Sequence, residues 1–283
     1  MCSGSALAEV LALLSALAYG IVDFAGGRVA RQVHPYALAL RVQAYGVVAM
    51  LVAAPLSSGV PSAADLGWGA VSGAGSGVAI MFLYRGMRRG QISLIVPLTA
   101  LVGASLPVLF SIAALGERPS PWVMAGMAGA LAATWLVSFS PAPRSRGPIS
   151  GFQDAVVAGA GVALQYAAIA QASDAAGLWP LLANRMASVI FVAAYARHAG
   201  VSWRLPRRQE GAAAWIGAVA AASLALYLYA SWQSIMSIAV VLASLYPAVP
   251  VALGILLLKE TLQRRQSWGL CAAALSVSII ILG

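Results

Sequence analysis

Apolar positions run in ten blocks along the 283 residues, and polar positions collect in the gaps between them. A helix needs roughly 20 apolar residues to cross the hydrocarbon core of a bilayer. The blocks fall near 5–25, 35–56, 66–84, 92–115, 121–140, 151–172, 177–197, 211–230, 235–258 and 267–283. Long apolar runs with charge confined to short connections predict an all-α membrane protein of ten transmembrane helices. The first block, Ala6 to Phe24, lacks a basic leader and is long enough to span, so it is expected to remain as the first helix. The longest gaps are PAPRSRGPIS (141–150) and HAGVSWRLPRRQE (198–210). The first lies at the midpoint and is rich in Pro, Ser and Arg. It reads as a linker between a unit at 1–140 and a unit at 151–283.

Composition sharpens this picture. The chain is 61% hydrophobic and only 9% charged, and its mean hydropathy is +0.87. A soluble domain carries roughly a quarter charged residues, so this chain could not solvate a surface in water. The net charge of +9 comes from Arg scattered through short loops, which argues against nucleic acid and for retention beside a membrane. Cys2 and Cys271 stand at opposite ends, and neither a disulfide framework nor a metal site is expected. His34 and His198 sit at predicted helix edges and read as interfacial residues. No Ser/His/Asp set, His/Cys cluster or phosphate-binding loop is present, so the chain is read as a non-enzyme without cofactors.

The two units repeat one another. Pro107, Glu117 and Trp122 recur as Pro250, Glu260 and Trp268; Arg41 recurs as Arg185, and Glu9 as Asp154, all at offsets of 143 to 146. Five helices per unit is odd, so the second unit enters the membrane in the opposite direction. Two inverted five-helix repeats are a recurring transporter architecture, with the substrate at the repeat interface. With PLTALVGASLPVLFSIAALGERPSPW and VVLASLYPAVPVALGILLLKETLQRRQSW in matching positions, the whole chain resembles the EamA-type drug/metabolite transporters. That resemblance implies movement of small metabolites, amino acids or drugs by alternating access.

Helices 4 and 9 carry paired prolines, Pro97 with Pro107 and Pro247 with Pro250. Each frees a backbone carbonyl, which lipid does not tolerate unless protein or a wet cavity receives it. They read either as plain kinks or as gating hinges. Thr99, Ser105, Ser244 and Tyr246 share those stretches. Ser15, Tyr19 and Asp23 share one face of helix 1, and Tyr84, Gln165, Tyr166 and Tyr227 occur at similar depth elsewhere. Together they predict a polar-aromatic cavity lined by helices 1, 3, 4, 6, 8 and 9, suited to amphipathic or aromatic solutes. Substrate contacts are expected from Tyr19, Tyr84, Thr99, Gln165, Tyr166, Tyr227, Ser244 and Tyr246. Asp23, Arg41 and Arg185 are the charged candidates. The two arginines lie about six residues inside their helices and read either as interfacial anchors that snorkel or as anion contacts. Glu117 and Glu260 read as caps of the helices that follow them. Gly69, Gly73 and Gly77 on helix 3 predict close helix packing, and Trp68, Trp122, Trp203 and Trp268 an aromatic belt. With Asp23 and Glu9 toward helix ends, either Asp23 couples protons from near the rim or the protein is a facilitator.

These residues describe a secondary transporter or facilitator, an exporter by resemblance, moving small amphipathic metabolites such as amino acids. A lipid or lipid-linked-precursor flippase and a non-transporting membrane partner or receptor are the rival readings. The expected partners are a small-molecule substrate and membrane lipids, with no nucleic acid, and a monomer suffices. The expected location is the cell membrane. Arg28, Arg31, Arg85, Arg88, Arg89, Arg144, Arg146, Arg197, Arg204, Arg207, Arg208, Lys259, Arg264 and Arg265 all fall in loops of one side, against Arg118 alone on the other. Basic loops stay cytoplasmic, which places both termini outside; the resembled family leans the opposite way.

Overall fold

The computed structural model describes residues 2–89, 92–138 and 151–249, with helical pieces at 264–265, 268–269, 271–272, 275–276 and 279. The helices are α1 (Cys2–Ala30), α2 (Pro35–Leu56), α3 (Ala63–Arg89), α4 (Ile92–Ala114), α5 (Pro121–Ser138), α6 (Phe152–Ile169), α7 (Trp179–His198), α8 (Arg207–Gln233) and α9 (Met236–Ala243). No strand occurs among the described residues. Six helices, α1, α2, α3, α6, α7 and α8, are long and apolar enough to cross a membrane. Shorter apolar runs lie at Leu98–Ala114 and Pro121–Ala133. The linker at 141–150, Pro250 and Glu260 lie outside the described residues, as does most of the expected tenth span.

Burial follows from which face each helix turns outward. On α1, Leu7, Val10, Leu14 and Leu17 form an exposed stripe, while Ala8, Ala12, Ser15 and Ala16 are buried. An outward apolar stripe is solvated by acyl chains, so the inward face is the one free to carry polar groups. The four belt tryptophans are all exposed.

Small residues then decide how close the helices come. α3 lies between α6 and α7. On one side, a Cβ at Gly69 or Gly73 would collide with the carbonyl oxygens of Pro180 and Asn184. On the other, a Cβ at Gly75 would lie 2.7 Å from the carbonyl oxygen of Gly161. Backbones this close leave no room for side chains between them and gain dense van der Waals contact. α8 does the same against α1 and α2, where Gly217 faces the Val42 carbonyl.

The two ends of the bundle differ chemically. At one end Arg85 and Arg89 of α3 meet Asp154 of α6, Arg41 meets Glu210 at 3.3 Å, and His34 caps α2 by accepting from the Tyr36 amide. At the other, Asp65 accepts from the amides of Ser62 and Ser173, and the indole of Trp232 donates to the Ala172 carbonyl.

Glu117 also lies at that second end, and its partner corrects the expectation. It does not cap the following helix, α5. Its carboxylate accepts from the amides of Met236 and Ser237 at 2.8 and 3.1 Å, and from the Ser237 hydroxyl at 2.7 Å. It therefore caps α9, more than a hundred residues away, where the helix dipole favours an anion. Sequence adjacency could not reveal this, because the loop after α4 reaches across the bundle. Glu117→Gln is expected to cost about 1–2 kcal/mol, seen as a fall in Tm on the order of 2–5 °C in detergent. An unchanged Tm would remove the cap from the list of stabilising contacts.

Candidate functional site

Six helices and the turn after α9 surround about 620 Å³ of empty space, part of it open to solvent. α1 contributes Tyr19 and Asp23, one helical turn apart. α2 contributes Gln43, α3 Ser76 and Tyr84, α6 Gln165 and Tyr166, α7 Arg185, and the turn after α9 contributes Tyr246. Val22, Val42, Ile80, Leu83 and Ile216 supply apolar wall.

Local backbone chemistry places these groups. α9 runs to Ala243 and gives way at 244–247 to tight turns with i to i+3 bonds such as Leu245 N–H to Leu242 C=O at 3.2 Å; helical backbone follows at 248–249, and the rest of the expected span to 258 lies outside the described residues. Pro247 has no N–H with which to continue the α-helical ladder. The turn brings Tyr246 to the cavity. Gly20 allows that approach: a Cβ there would lie 2.6 Å from the Tyr246 carbonyl oxygen. Gly26 makes equivalent room for the Tyr84 hydroxyl, again 2.6 Å from where a Cβ would be.

The polar side chains are held by one another. The Gln43 amide nitrogen donates to Ser76 and Ser188 hydroxyls at 2.9 and 2.6 Å. Its oxygen accepts from Arg185 at 2.6 Å, the arrangement demanded by a guanidinium that can only donate. A second Arg185 nitrogen donates to the Ala220 carbonyl at 2.8 Å, while its Nε has no partner. The Tyr19 hydroxyl stands beside this guanidinium and accepts from the Gln165 amide at 3.1 Å. Arg185 is only 3% exposed, which corrects the interfacial-anchor alternative. No carboxylate pairs with it among the described residues.

Tyr19, Tyr84, Gln165, Tyr166, Tyr246, Asp23 and Arg185 thus meet at one cavity. Other expected residues do not. Thr99 donates to the Ala155 carbonyl at 3.2 Å and seals α4 to α6. Tyr227 stacks on Tyr166, ring centroids 4.3 Å apart, and its hydroxyl reaches the Tyr166 carbonyl. Ser244 bonds back to the Val240 carbonyl at 2.7 Å, the usual outcome for a helical serine. Ser105 does likewise with Leu101. Arg41 is half-exposed and paired with Glu210. α4 runs helical from Ile92 to Ala114 through Pro97 and Pro107, and none of its described side chains lines the cavity. α2 and α7 line it instead. Asp23 is also deeper than its predicted helix end implied, because α1 continues to Ala30.

Sequence reasoning passed over Gln43, Ser76 and Asn184. Asn184 donates to the Ser72 hydroxyl, which donates to the Gln165 carbonyl, both at 2.8 Å. The available signal was an amide inside an apolar span, a position that is costly unless the side chain has internal partners.

Residues 6–139 match the model of the EamA-like transporter family. A crystal structure of a protein 17% identical in sequence superposes with a TM-score of 0.72, covering 97% of this chain and 96% of the other. At that identity the likeness shows the fold. No curated protein matches the chain.

Proposed function

Starting from residues 6–139 as a segment of the EamA-like transporter family, a family of membrane transporters of small molecules rather than enzymes, we propose that this protein is a secondary transporter or facilitator for small amphipathic metabolites, with amino acids the leading class and export the direction implied by the family resemblance. The observation that carries this reading is the cavity among six helices and the turn after α9, where phenols, amides and two opposite charges converge. The space is bounded by six helices, partly open to solvent, and lined by both apolar and polar side chains, as a small-solute site requires.

The packing supports an inverted five-plus-five arrangement. α3 lies along α6 and α7 as α8 lies along α1 and α2, and α4 contacts α6 as α9 contacts α1. Each relation maps onto its partner when the units are exchanged. Such symmetry lets one packing serve two states, each open to one side. The fastenings at the end away from the basic loops, including the Glu117 cap, the Trp232–Ala172 bond and the Ser57–Leu178 bond, are the contacts that alternating access would break.

Flux into liposomes against a metabolite panel, with and without a proton gradient, tests the function. Tyr246→Ala and Gln165→Ala should each lower the initial rate about tenfold, the equivalent of losing one well-placed hydrogen bond or wall, while eluting as folded protein. Undiminished flux in both variants would place the substrate elsewhere. Gradient-dependent flux that disappears in Asp23→Asn would make the carrier proton-coupled, and gradient-independent flux a facilitator.

The basic loops are proposed to face the cytoplasm of the cell membrane, with both termini outside. On a Cys-free background, Val60→Cys should be labelled by an impermeant maleimide on intact cells and Arg204→Cys should not. The reverse pattern would overturn this orientation.

A further inference from the structure

Three sides of α3 face protein. Ser76, Ile80, Leu83 and Tyr84 line the cavity. Gly73 and Gly77 lie against α7, and Gly75 and Gly86 against α6. The fourth side carries Ala74, Val78, Phe82 and Arg85, at helical spacing and all partly exposed. Larger exposed side chains flank it. Leu164 of α6 stands beside Gly75, and Phe191 of α7 beside Gly77. Together they form a groove on the lipid-facing surface, with α3 as its floor and α6 and α7 as its walls. The glycine contacts that draw these helices together set its width. From Ala74 to Arg85 the floor rises about 16 Å at about 1.5 Å per residue. That is the depth of one leaflet in a hydrocarbon core roughly 30 Å thick.

Basic side chains close the groove where α3 leaves the membrane. Arg85 is already engaged: it donates to Asp154 and to the Tyr36 hydroxyl, and it lies over the Phe82 ring. Arg89 is not: its side chain is 59% exposed and only approaches the same carboxylate, at 3.7 Å. Arg88 is exposed and forms no ion pair among the described residues. α7 adds Arg197 and His198 in its last turn, both exposed. Asp154 is the one carboxylate paired with these groups among the described residues, so positive charge is in surplus. α4 begins at Ile92, so Arg88 and Arg89 stay at the membrane surface and do not reach out on a long loop.

We propose that this groove is a binding site for one anionic phospholipid: an acyl chain lies along Ala74, Val78 and Phe82, and Arg88 and Arg89 hold the phosphate. An apolar channel one leaflet deep, topped by surplus arginines, matches such a lipid in both length and charge. A zwitterionic lipid fits the channel equally well, but its own cation offsets the attraction of the arginines. The site is separate from the cavity and holds whichever solute the cavity carries.

Native mass spectrometry of the purified full-length protein tests this. Phosphatidylglycerol and phosphatidylcholine with the same acyl chains are supplied in equal amounts in detergent. Wild-type protein should retain one phosphatidylglycerol about tenfold more often than phosphatidylcholine. Arg88→Gln combined with Arg89→Gln should abolish that preference. Arg207→Gln combined with Arg208→Gln removes as much charge from the same end, but on α8, which packs against α1 and α2. It should leave the preference intact. Val78→Trp fills the floor with every arginine in place, and should lower phosphatidylglycerol retention severalfold. If that variant is not recovered folded, Ala74→Leu takes its place. Equal retention of both lipids by wild type, equal losses in the two arginine pairs, or full retention with the groove filled overturns the site. Displacement of the lipid by excess inorganic phosphate also overturns it, because the arginines alone would then be the ligand's whole attachment.

Discussion

Gly73→Val is expected to prevent stable folding or to lower Tm by on the order of 10 °C. A Cβ at this position collides with the carbonyl oxygen of Asn184 and comes within 2.8 Å of the Ala187 side chain. The obstacle is backbone, which cannot rotate away as a flexible side chain would. α3 would have to separate from α7 along its length, losing the neighbouring contacts of Gly69 and Gly77 as well. Overpacking against a fixed surface costs about 3 kcal/mol or more, a large part of the stability of a typical domain. Asn184 and Arg185 would move with α7, so the cavity wall would be displaced too. Gly67→Ala is the control: it lies on the same helix with nothing within 4 Å of its Cβ, and alanine favours helix by about 1 kcal/mol over glycine. Thermal unfolding of both variants in one detergent should separate them clearly. Equal behaviour would mean that the α3–α7 contact tolerates a wider spacing.

The second large effect is expected at Asp154. Its side chain is 5% exposed and accepts from two nitrogens of Arg85, whose third nitrogen donates to the Tyr36 hydroxyl at 2.9 Å. The guanidinium also lies 4.3 Å from the centre of the Phe82 ring. Asp154→Ala leaves this cation half-enclosed with no anion. Removing one member of a buried pair costs 3–5 kcal/mol; because Arg85 is 24% exposed, about 2–4 kcal/mol is expected here. Tm should fall by on the order of 5–10 °C. Adding Arg85→Gln should restore part of the loss, since no lone charge then remains. A double-mutant cycle measures that coupling. Additive losses would show that the two residues act independently, and the pair would not be the fastening between α3 and α6.

The helix positions among the described residues were legible because in a membrane each segment must satisfy its own backbone, so local hydropathy largely decides where a helix lies. The exception is instructive. The apolar run at 235–258 continues through 244–247, where the helix is interrupted by turns before helical backbone returns at 248–249; hydropathy reports solvent, not the missing N–H of Pro247. Of the prolines, Pro247 lies in the turns at 244–247, while α4 stays helical through Pro97 and Pro107. Of the polar candidates, Tyr19, Asp23, Gln165 and Tyr246 reach the cavity, while Thr99 and Ser244 turn to nearby carbonyls. A short hydroxyl in a helix always has such a carbonyl in reach, and nothing in the sequence says whether it will take it.

The sequence by itself determined the all-helical, membrane-spanning character of the chain, the rough limits of the described helices, and the near-constant offset between matched landmarks in its two halves. All of these depend on residues close in the chain or on composition. Tertiary structure decided which side chains meet. Arg41 and Arg185 occupy matched positions, yet one pairs with Glu210 near the bundle end and the other is buried against Gln43. Glu117 caps a helix more than a hundred residues away. These outcomes depend on how each helix is rotated about its axis and slid past its neighbours. In a bilayer, glycine contacts and interhelical hydrogen bonds set that rotation, and hydropathy is the same for every rotation of an evenly apolar helix.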